Sequence, residues 1–241
     1  MQAVIGLALA LVVTGGWLGL HFYALFVFEL TWASAPVAAL MAAALCWLSV
    51  GVFIVSHDAM HGSLAPGWPK LNSAIGATLL FLYAGFGWRK MRDAHFEHHK
   101  HVGTRGDPDF DADNPRNFAR WYATFFRRYF GWQSVAFVST VVTVYWLVFD
   151  VPMVQLTFLY GAPAIASSLQ LFYFGTFRTH RHDDAGFPDH HNARSENFGT
   201  LASLMTCFHF GYHHEHHLAP NVPWWGLPAW RRSAKAGKAN A

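Results

Sequence analysis

The stretches HFEHH at positions 95–99 and HHEHH at positions 213–217 are the most informative parts of this 241-residue chain. A third histidine-rich stretch, HDAMH, occupies positions 57–61, and all three stretches lie beside long apolar segments. Polar side chains are costly in a lipid-facing helix, so such a concentration of histidines needs an explanation. Neutral imidazole is the commonest metal ligand in proteins. The three stretches therefore predict a metal site at the boundary of a membrane.

The composition is typical of an integral membrane protein. Hydrophobic residues make up 53% of the chain and charged residues only 13%, whereas an average soluble domain has about 25% charged residues. A membrane-spanning helix needs roughly 20 apolar residues. Segments that approach or reach this length are residues 4–28, 36–55, 135–149 and 153–174. We therefore expect an all-α integral membrane protein with one domain over residues 1–241 and four transmembrane helices in two hairpins.

The basic residues predict how these helices are oriented. If both hairpins cross and return, all 17 Lys and Arg residues lie on one side of the membrane. The positive-inside rule makes this side cytoplasmic. We expect both termini and a cytoplasmic helical cap with the metal site on this side of the inner membrane. A single crossing by the shorter apolar segment, residues 71–86, would separate His57 from His95, so this segment is predicted to re-enter the membrane or lie at its interface. The basic segment over residues 231–241 is expected to be disordered.

The spacing of the histidines indicates more than one metal ion. On a helix, residues at i, i+3 and i+4 share one face. The residues with this spacing are His95, His98 and His99, then His213, His216 and His217, while His57 and His61 are spaced i, i+4. Eight imidazoles are too many for one tetrahedral zinc, which takes four ligands, and suit two metal ions. Nitrogen ligands are compatible with iron, copper, zinc or nickel.

Further polar residues are candidates for completing or supporting this site. His180 follows the last long apolar segment and is a candidate for a ninth ligand. His209, one helical turn before His213, is a competing candidate. Carboxylates close to metal-bound histidines often accept a hydrogen bond from the second ring nitrogen. The candidates for such a supporting role are Asp58, Glu97, His209 and Glu215, with Asp107 as a weaker one.

The chain resembles the bacterial-type β-carotene ketolases, a branch of the membrane fatty acid desaturases and hydroxylases that have a non-haem di-iron centre. The segments that carry the resemblance are HDAMHGSLAPG (57–67), HFEHH (95–99), DPDF (107–110), LFYFGTFRTHRH (171–182), TCFHFGYHHEHHLAP (206–220) and PWW (223–225). The resemblance implies two iron ions as cofactors and O2 as co-substrate. The iron ligands that it implies are His57, His61, His95, His98, His99, His213, His216 and His217, with His180 as our choice for the additional one.

The resemblance also implies a reaction and its partners. The C4 methylene of a carotenoid β-ionone ring would become a ketone through two hydroxylations and a dehydration. β-Carotene would give echinenone and canthaxanthin, and zeaxanthin would give astaxanthin. Because the sequence has no flavin or iron–sulfur motif, a ferredoxin and its reductase are the implied electron donors. An acidic donor could dock on basic residues of the cytoplasmic face, although we favour a role in binding lipid headgroups for these residues. They are Arg89, Lys90, Arg92, Arg127 and Arg128. No nucleic-acid partner is expected.

Two groups of alternatives stay open at this point. A carotenoid 3-hydroxylase, a fatty acid desaturase or a fatty acid hydroxylase would use the same histidines and differ in its product. A membrane metal transporter or metal sensor would bind metal without consuming O2. Polar groups within the apolar segments are too few to mark an ion path, which counts against the transporter.

Overall fold

The first two helices form where the sequence is most apolar. Helix α1 (Gln2–Phe26) has 25 residues and helix α2 (Ala35–His61) has 27. Pro36 stands in the first turn of α2, where a missing backbone N–H leaves no hydrogen bond unmade. Gly62 follows the last turn with φ +73°, a left-handed conformation that commonly ends helices. Both helices are long and apolar enough to cross a membrane.

The remaining elements complete an all-helical fold. The structure, a computed structural model, describes residues 1–239, with side chains as far as residue 234. The other helices are α3 (Pro69–Ala84), α4 (Trp88–His101), α5 (Phe118–Tyr129), α6 (Trp132–Leu147), α7 (residues 153–180), α8 (Thr200–Cys207), α9 (His213–Leu218) and α10 (Leu227–Ala239). Within residues 1–239 there is no β-strand, in agreement with the predicted all-α class.

Helix α2 lies at the centre of the apolar core. Helices α1 and α3 and the middle of α7 pack against it, and its residues Val50, Val52 and Ile54 have no exposed surface. Because lipid tails are as apolar as these side chains, close packing rather than exclusion of water holds such helices together. The last turns of α2 carry His57 and His61 from this core towards the other histidine-rich helices.

Two bends shape the other candidate spans. The axes of α3 and α4 meet at 102°, and those of α5 and α6 at 81°. Gly85, which ends α3, has the left-handed φ of +67°. Gly76 lies against the Trp88 ring, and a Cβ atom at this position would be 2.1 Å from that ring. The Trp88 side chain therefore fits against α3 only because residue 76 has no side chain. Within residues 1–239, two helices are long and apolar enough to cross a membrane, or up to four if each bent pair is one span.

The predicted apolar segments correspond to observed helices. Segment 71–86 lies largely in α3, segment 135–149 largely in α6, and segment 153–174 in α7. Helix α7 contains two π-helical stretches, Thr157–Gly161 and Phe172–Phe177. Such stretches are rare and often occur near functional sites, because they change the direction of the side chains that follow. The second one comes directly before the turn that carries His180.

The C-terminal segment differs from the sequence-based expectation. A disordered tail is predicted from residue 231, but α10 continues as a helix to Ala239; residues 240 and 241 lie outside the described part. The segment is rich in alanine, the residue with the highest helix propensity. Arg231, near the start of α10, also lies 3.4 Å from the Glu215 carboxylate. The predicted disorder was therefore wrong for residues 231–239.

We expect Gly85→Ala to destabilise the bend between α3 and α4. A left-handed conformation costs a residue with a Cβ atom about 1–2 kcal/mol, and this Cβ atom would lie 2.6 Å from Phe137. The midpoint of thermal unfolding of the purified protein in detergent should fall. Gly87→Ala is the matched control, because residue 87 has φ −78° and an added Cβ atom meets nothing within 4 Å. Equal midpoints for the two variants would contradict this account of the bend.

Candidate metal centre

Nine buried or half-buried histidines converge in two neighbouring groups. The five-histidine cluster consists of His57, His61, His95, His99 and His216. The four-histidine cluster consists of His98, His180, His213 and His217. Within each cluster, one nitrogen from every ring lies within 4.8 Å of the corresponding nitrogens of the other rings. The clusters are adjacent, since the ring centroids of His99 and His217 are 4.3 Å apart.

The two histidine triplets are divided between the clusters in opposite ways. On α4, His95 and His99 enter the five-histidine cluster while His98 enters the four-histidine cluster. On α9, His213 and His217 enter the four-histidine cluster while His216 crosses to the other. Each helix thus gives its i, i+4 pair to one cluster and its third histidine to the other. The spacing predicts that the triplets converge, but it does not predict this division.

In the five-histidine cluster, ring nitrogens face one another across the ends of three helices. Nε2 of His61 lies 2.7 Å from Nε2 of His95, and Nε2 of His99 lies 3.1 Å from Nε2 of His216. Neither ring nitrogen of the buried His57 has a hydrogen-bond partner among the described residues. An unpartnered buried polar atom is costly. A metal ion bound between these rings would remove that cost.

In the four-histidine cluster, two rings are oriented by contacts on their outer side. Nδ1 of His98 donates to Asp107 at 2.9 Å, and Nδ1 of His180 donates to the backbone carbonyl of Asn192 at 2.9 Å. The second nitrogen of His180 is buried and has no partner in the described chain. Nε2 of His213 and Nε2 of His217 are 3.1 Å apart. The outer hydrogen bonds of His98 and His180 are of the type that fixes the orientation of a metal-binding imidazole.

Burial keeps the rings of His180, His213, His216 and His217 neutral. It lowers the pKa of His213, His216 and His217 well below the ordinary value. Burial, followed by the neighbouring His98, lowers the pKa of His180 to about 3. A metal ion requires the neutral imidazole, so these side chains are in the binding form at physiological pH. Donor sets of five and four nitrogen atoms therefore fit two ions of the iron, copper, zinc or nickel class.

The supporting residues suggested by the sequence lie in different environments. Asp58 is buried, with one oxygen 3.6 Å from Nδ1 of His57 and the other accepting from the Trp224 backbone N–H at 3.0 Å. Glu215 accepts a hydrogen bond from Ser195 and faces Arg231. Glu97 lies on the exposed side of α4, where it pairs with Lys100 at 2.5 Å. Of the three carboxylates, only Asp58 lies close to a clustered histidine in the described chain.

His209 and Asp107 also occupy clear positions. His209 lies outside both clusters, where its ring stacks on those of Tyr212 and Trp224 with centroids 5.9 and 6.0 Å apart. Of the two candidates for a ninth ligand, the structure thus places His180 with the other histidines and His209 behind them. Asp107, the weaker candidate from the sequence, contacts His98 directly. It also accepts hydrogen bonds from the Gly103 and Asp109 backbone N–H groups, both at 2.8 Å.

A cavity of about 360 Å³ opens beside the clusters. This volume is within the range of roughly 300–1,000 Å³ found for small-molecule sites. Four of the clustered histidines line it: His57, His95, His98 and His213. Most of the remaining wall is apolar and includes Phe53, Met60, Phe86, Met91, Phe125 and Phe210. The sequence alone predicts no pocket residue, because an aromatic side chain in an apolar helix looks the same whether it packs or lines a cavity.

Comparison with known proteins agrees with this arrangement. The family model of the fatty acid desaturases matches residues 30–149 and 131–239. A β-carotene ketolase of Paracoccus sp. (strain N81106 / MBIC 01143) is 50% identical over 230 residues, which cover 93% of each chain. A second one, from Paracoccus sp. (strain PC1), is 47% identical over 96% of this chain and 94% of its own.

A more distant relative comes from an alga. The zeaxanthin 4-ketolase of Chlamydomonas reinhardtii is 37% identical over 95% of this chain and 54% of its own. The family model covers most of the residues that build the two clusters, and the bacterial relatives align over nearly the full length. The chain belongs to the fatty acid desaturase family and, within it, to the β-carotene ketolases.

Proposed function

We propose that this protein is an O2-dependent membrane oxygenase that converts the C4 methylene of carotenoid β-ionone rings to a ketone. The observation that carries the proposal is that two adjacent histidine clusters open directly onto an apolar cavity. Relatives named β-carotene ketolase and zeaxanthin 4-ketolase support the choice of substrate and of ring position. β-Carotene would give echinenone and canthaxanthin, and zeaxanthin would give astaxanthin.

The nine clustered histidines are proposed to hold two iron ions. Iron bound there supplies the activation of O2 and the removal of hydrogen from C4. The chain's own contribution is to present buried imidazoles in fixed orientations, with Asp107 and the Asn192 carbonyl holding the outer nitrogens of His98 and His180. Such outer contacts typically raise metal affinity and keep each ring in one orientation.

The cavity wall is proposed to bind the end ring of the carotenoid. Phe53, Met60, Phe86 and Met91 offer apolar surface to the ring, and a cavity so lined excludes most water from the reacting carbon. Because four clustered histidines interrupt this apolar wall on one side, a bound ring has a defined reacting edge. Binding in this manner brings C4 towards the histidines and leaves the polyene chain among the apolar helices.

The reaction requires electrons from outside the cavity. Each hydroxylation consumes one O2, two electrons and two protons, inserts one oxygen atom into a C–H bond and releases one water. The second hydroxylation gives a gem-diol, which loses water to form the ketone. We propose a ferredoxin and its reductase as donors.

A basic face beside the clusters suits such a donor. Arg92 lies 4.6 Å above the ring of Phe96, the residue that directly follows His95. Nζ of Lys90 donates to the Arg128 carbonyl at 3.3 Å. All five basic residues of this face are exposed: Arg89, Lys90, Arg92, Arg127 and Arg128. Their charge would attract an acidic donor or lipid headgroups. We place this face, the clusters and both termini on the cytoplasmic side of the inner membrane, within one domain.

Expression in cells that already make β-carotene and zeaxanthin tests the reaction. We expect echinenone, canthaxanthin and astaxanthin in the pigment extract, separated by chromatography and identified by mass. His98→Ala and His216→Ala, one from each cluster, should abolish these products because each removes a nitrogen that a cluster needs. His190→Ala is the control, since His190 is exposed and belongs to neither cluster. Products hydroxylated only at C3, or altered acyl chains without ketones, would refute the proposed function.

Iron content tests the assignment of the ninth ligand. We expect about two irons per chain in the anaerobically purified protein, measured by plasma mass spectrometry. His180→Ala should lower this value towards one, because the four-histidine cluster would retain only three nitrogens. His209→Ala should retain both irons, since its ring stacks behind the clusters. If His180→Ala retained both irons and His209→Ala retained only one, His209 rather than His180 would be the ninth ligand.

Removal of the Asp107 carboxylate should weaken metal binding without removing a ligand. Loss of an outer contact of this kind typically lowers metal affinity by about 10–100-fold. We expect Asp107→Ala to lose iron at a correspondingly lower concentration of a competing chelator. Asp113→Ala is the matched control, because Asp113 belongs to the same loop but is exposed and pairs with Arg105. Identical chelator titrations for both variants would show that Asp107 does not support the site.

A further inference from the structure

One carboxylate interrupts the apolar wall of the cavity. Asp109 lines it together with Tyr129 and His98, and it is the single acidic residue among the lining residues that the structure describes. Its side chain retains 16% of its surface, so it is neither sealed in the core nor freely solvated. An acidic group in such a position needs hydrogen-bond donors, because an unpaired carboxylate in apolar surroundings is costly.

Only one of the two Asp109 carboxylate oxygens has a donor. The Tyr129 hydroxyl donates to Oδ1. No backbone group of residues 1–239 and no side chain of residues 1–234 donates a hydrogen bond to Oδ2. This oxygen lies 3.8 Å from Nδ1 of His98, beyond hydrogen-bond distance, and that nitrogen already donates to Asp107 at 2.9 Å. Oδ2 is therefore an acceptor without a protein partner beside an apolar cavity.

Two hydroxyl groups of the cavity wall differ from Asp109 because they already have partners. The Tyr83 hydroxyl is 2.9 Å from Oγ of Ser167, and Oγ of Ser168 is 3.1 Å from the Tyr122 hydroxyl. These pairs need nothing from a ligand. The Asp109 oxygen, in contrast, gains a hydrogen bond when a ligand with a hydroxyl donor enters, and charged acceptors make the stronger hydrogen bonds.

The position of this oxygen matches one hydroxyl of a carotenoid. In a β-ionone ring C3 is bonded to C4, so a 3-hydroxyl lies next to the reacting carbon. If C4 faces the histidines, as the proposed function requires, the 3-hydroxyl lies on the part of the wall adjoining His98. Asp109 and Tyr129 occupy that part of the wall.

We propose that Asp109, held in place by Tyr129, binds the 3-hydroxyl of a hydroxylated β-ring and makes such rings the preferred substrates. The inference rests on the proposed function for the orientation of the ring. A ring without the hydroxyl leaves Oδ2 without a donor, and a site built to hydrogen-bond a hydroxyl discriminates against an analogue that lacks it. Zeaxanthin is therefore bound in preference to β-carotene.

Competitive binding tests this preference independently of turnover. Purified protein in detergent is equilibrated with equal amounts of zeaxanthin and β-carotene, and the bound pigments are extracted and quantified. We expect the wild-type protein to favour zeaxanthin by about tenfold, the effect of one charge-assisted hydrogen bond. The double variant Asp109→Leu/Tyr129→Phe removes both polar groups and keeps their approximate volume. Its ratio of bound zeaxanthin to bound β-carotene should therefore fall towards one. The product ratio from mixed substrates should change in the same direction.

Two further variants keep the test decisive. Tyr129→Phe alone removes one oxygen atom and should lower the binding ratio by about threefold or more; it replaces the double variant if that protein is not recovered. Tyr83→Phe is the matched control, a tyrosine of the same cavity whose hydroxyl is paired elsewhere, and its ratio should stay at the wild-type value. A wild-type ratio near one, or an equal shift in Tyr83→Phe and Tyr129→Phe, overturns the inference. A protein that discriminates as expected but makes no keto product contradicts the proposed function instead.

Discussion

Burial of nine imidazoles is the constraint on which the rest of the structure depends. Unpartnered ring nitrogens are costly inside a protein, so every helix that carries one must bring it to a place where a metal ion can satisfy it. Helices α4 and α9 each supply histidines to both clusters, so neither helix can move away from one cluster without disturbing the other. The bend after α3 and the end of α2 follow from this requirement, since they bring the first two histidine stretches together.

Much of the site follows from the sequence, and helix geometry explains why. Spacing at i, i+3 and i+4 puts three rings on one face, which is enough to predict that the stretches converge. The division into groups of five and four does not follow, because it depends on which neighbour each ring meets. The same geometry accounts for the exposed position of Glu97. It is two residues from both His95 and His99 and therefore points away from them, into solvent.

Contacts made only by the folded chain could not be predicted from the sequence. The sequence makes Asp107 only a weaker candidate for a supporting role, and the folded loop places it against His98. The acceptor for His180, the Asn192 carbonyl, could not be predicted, because a backbone carbonyl leaves no trace in residue identity. The predicted disorder from residue 231 failed for a related reason: a short alanine-rich helix gains its stability from contacts such as that of Arg231 with Glu215, which a tail by itself does not reveal.

The contact between His180 and the main chain at residue 192 has an evolutionary consequence. No change of side chain at that position can delete the acceptor, whereas the Asp107 carboxylate disappears with a single substitution. Residue 192 is constrained by its conformation instead, since its φ is +43° and asparagine or glycine tolerates that region far better than a β-branched residue. Natural variation at this site should therefore be limited by backbone shape and by the hydrogen bond that the Asn192 side chain donates to the Val102 carbonyl at 2.8 Å.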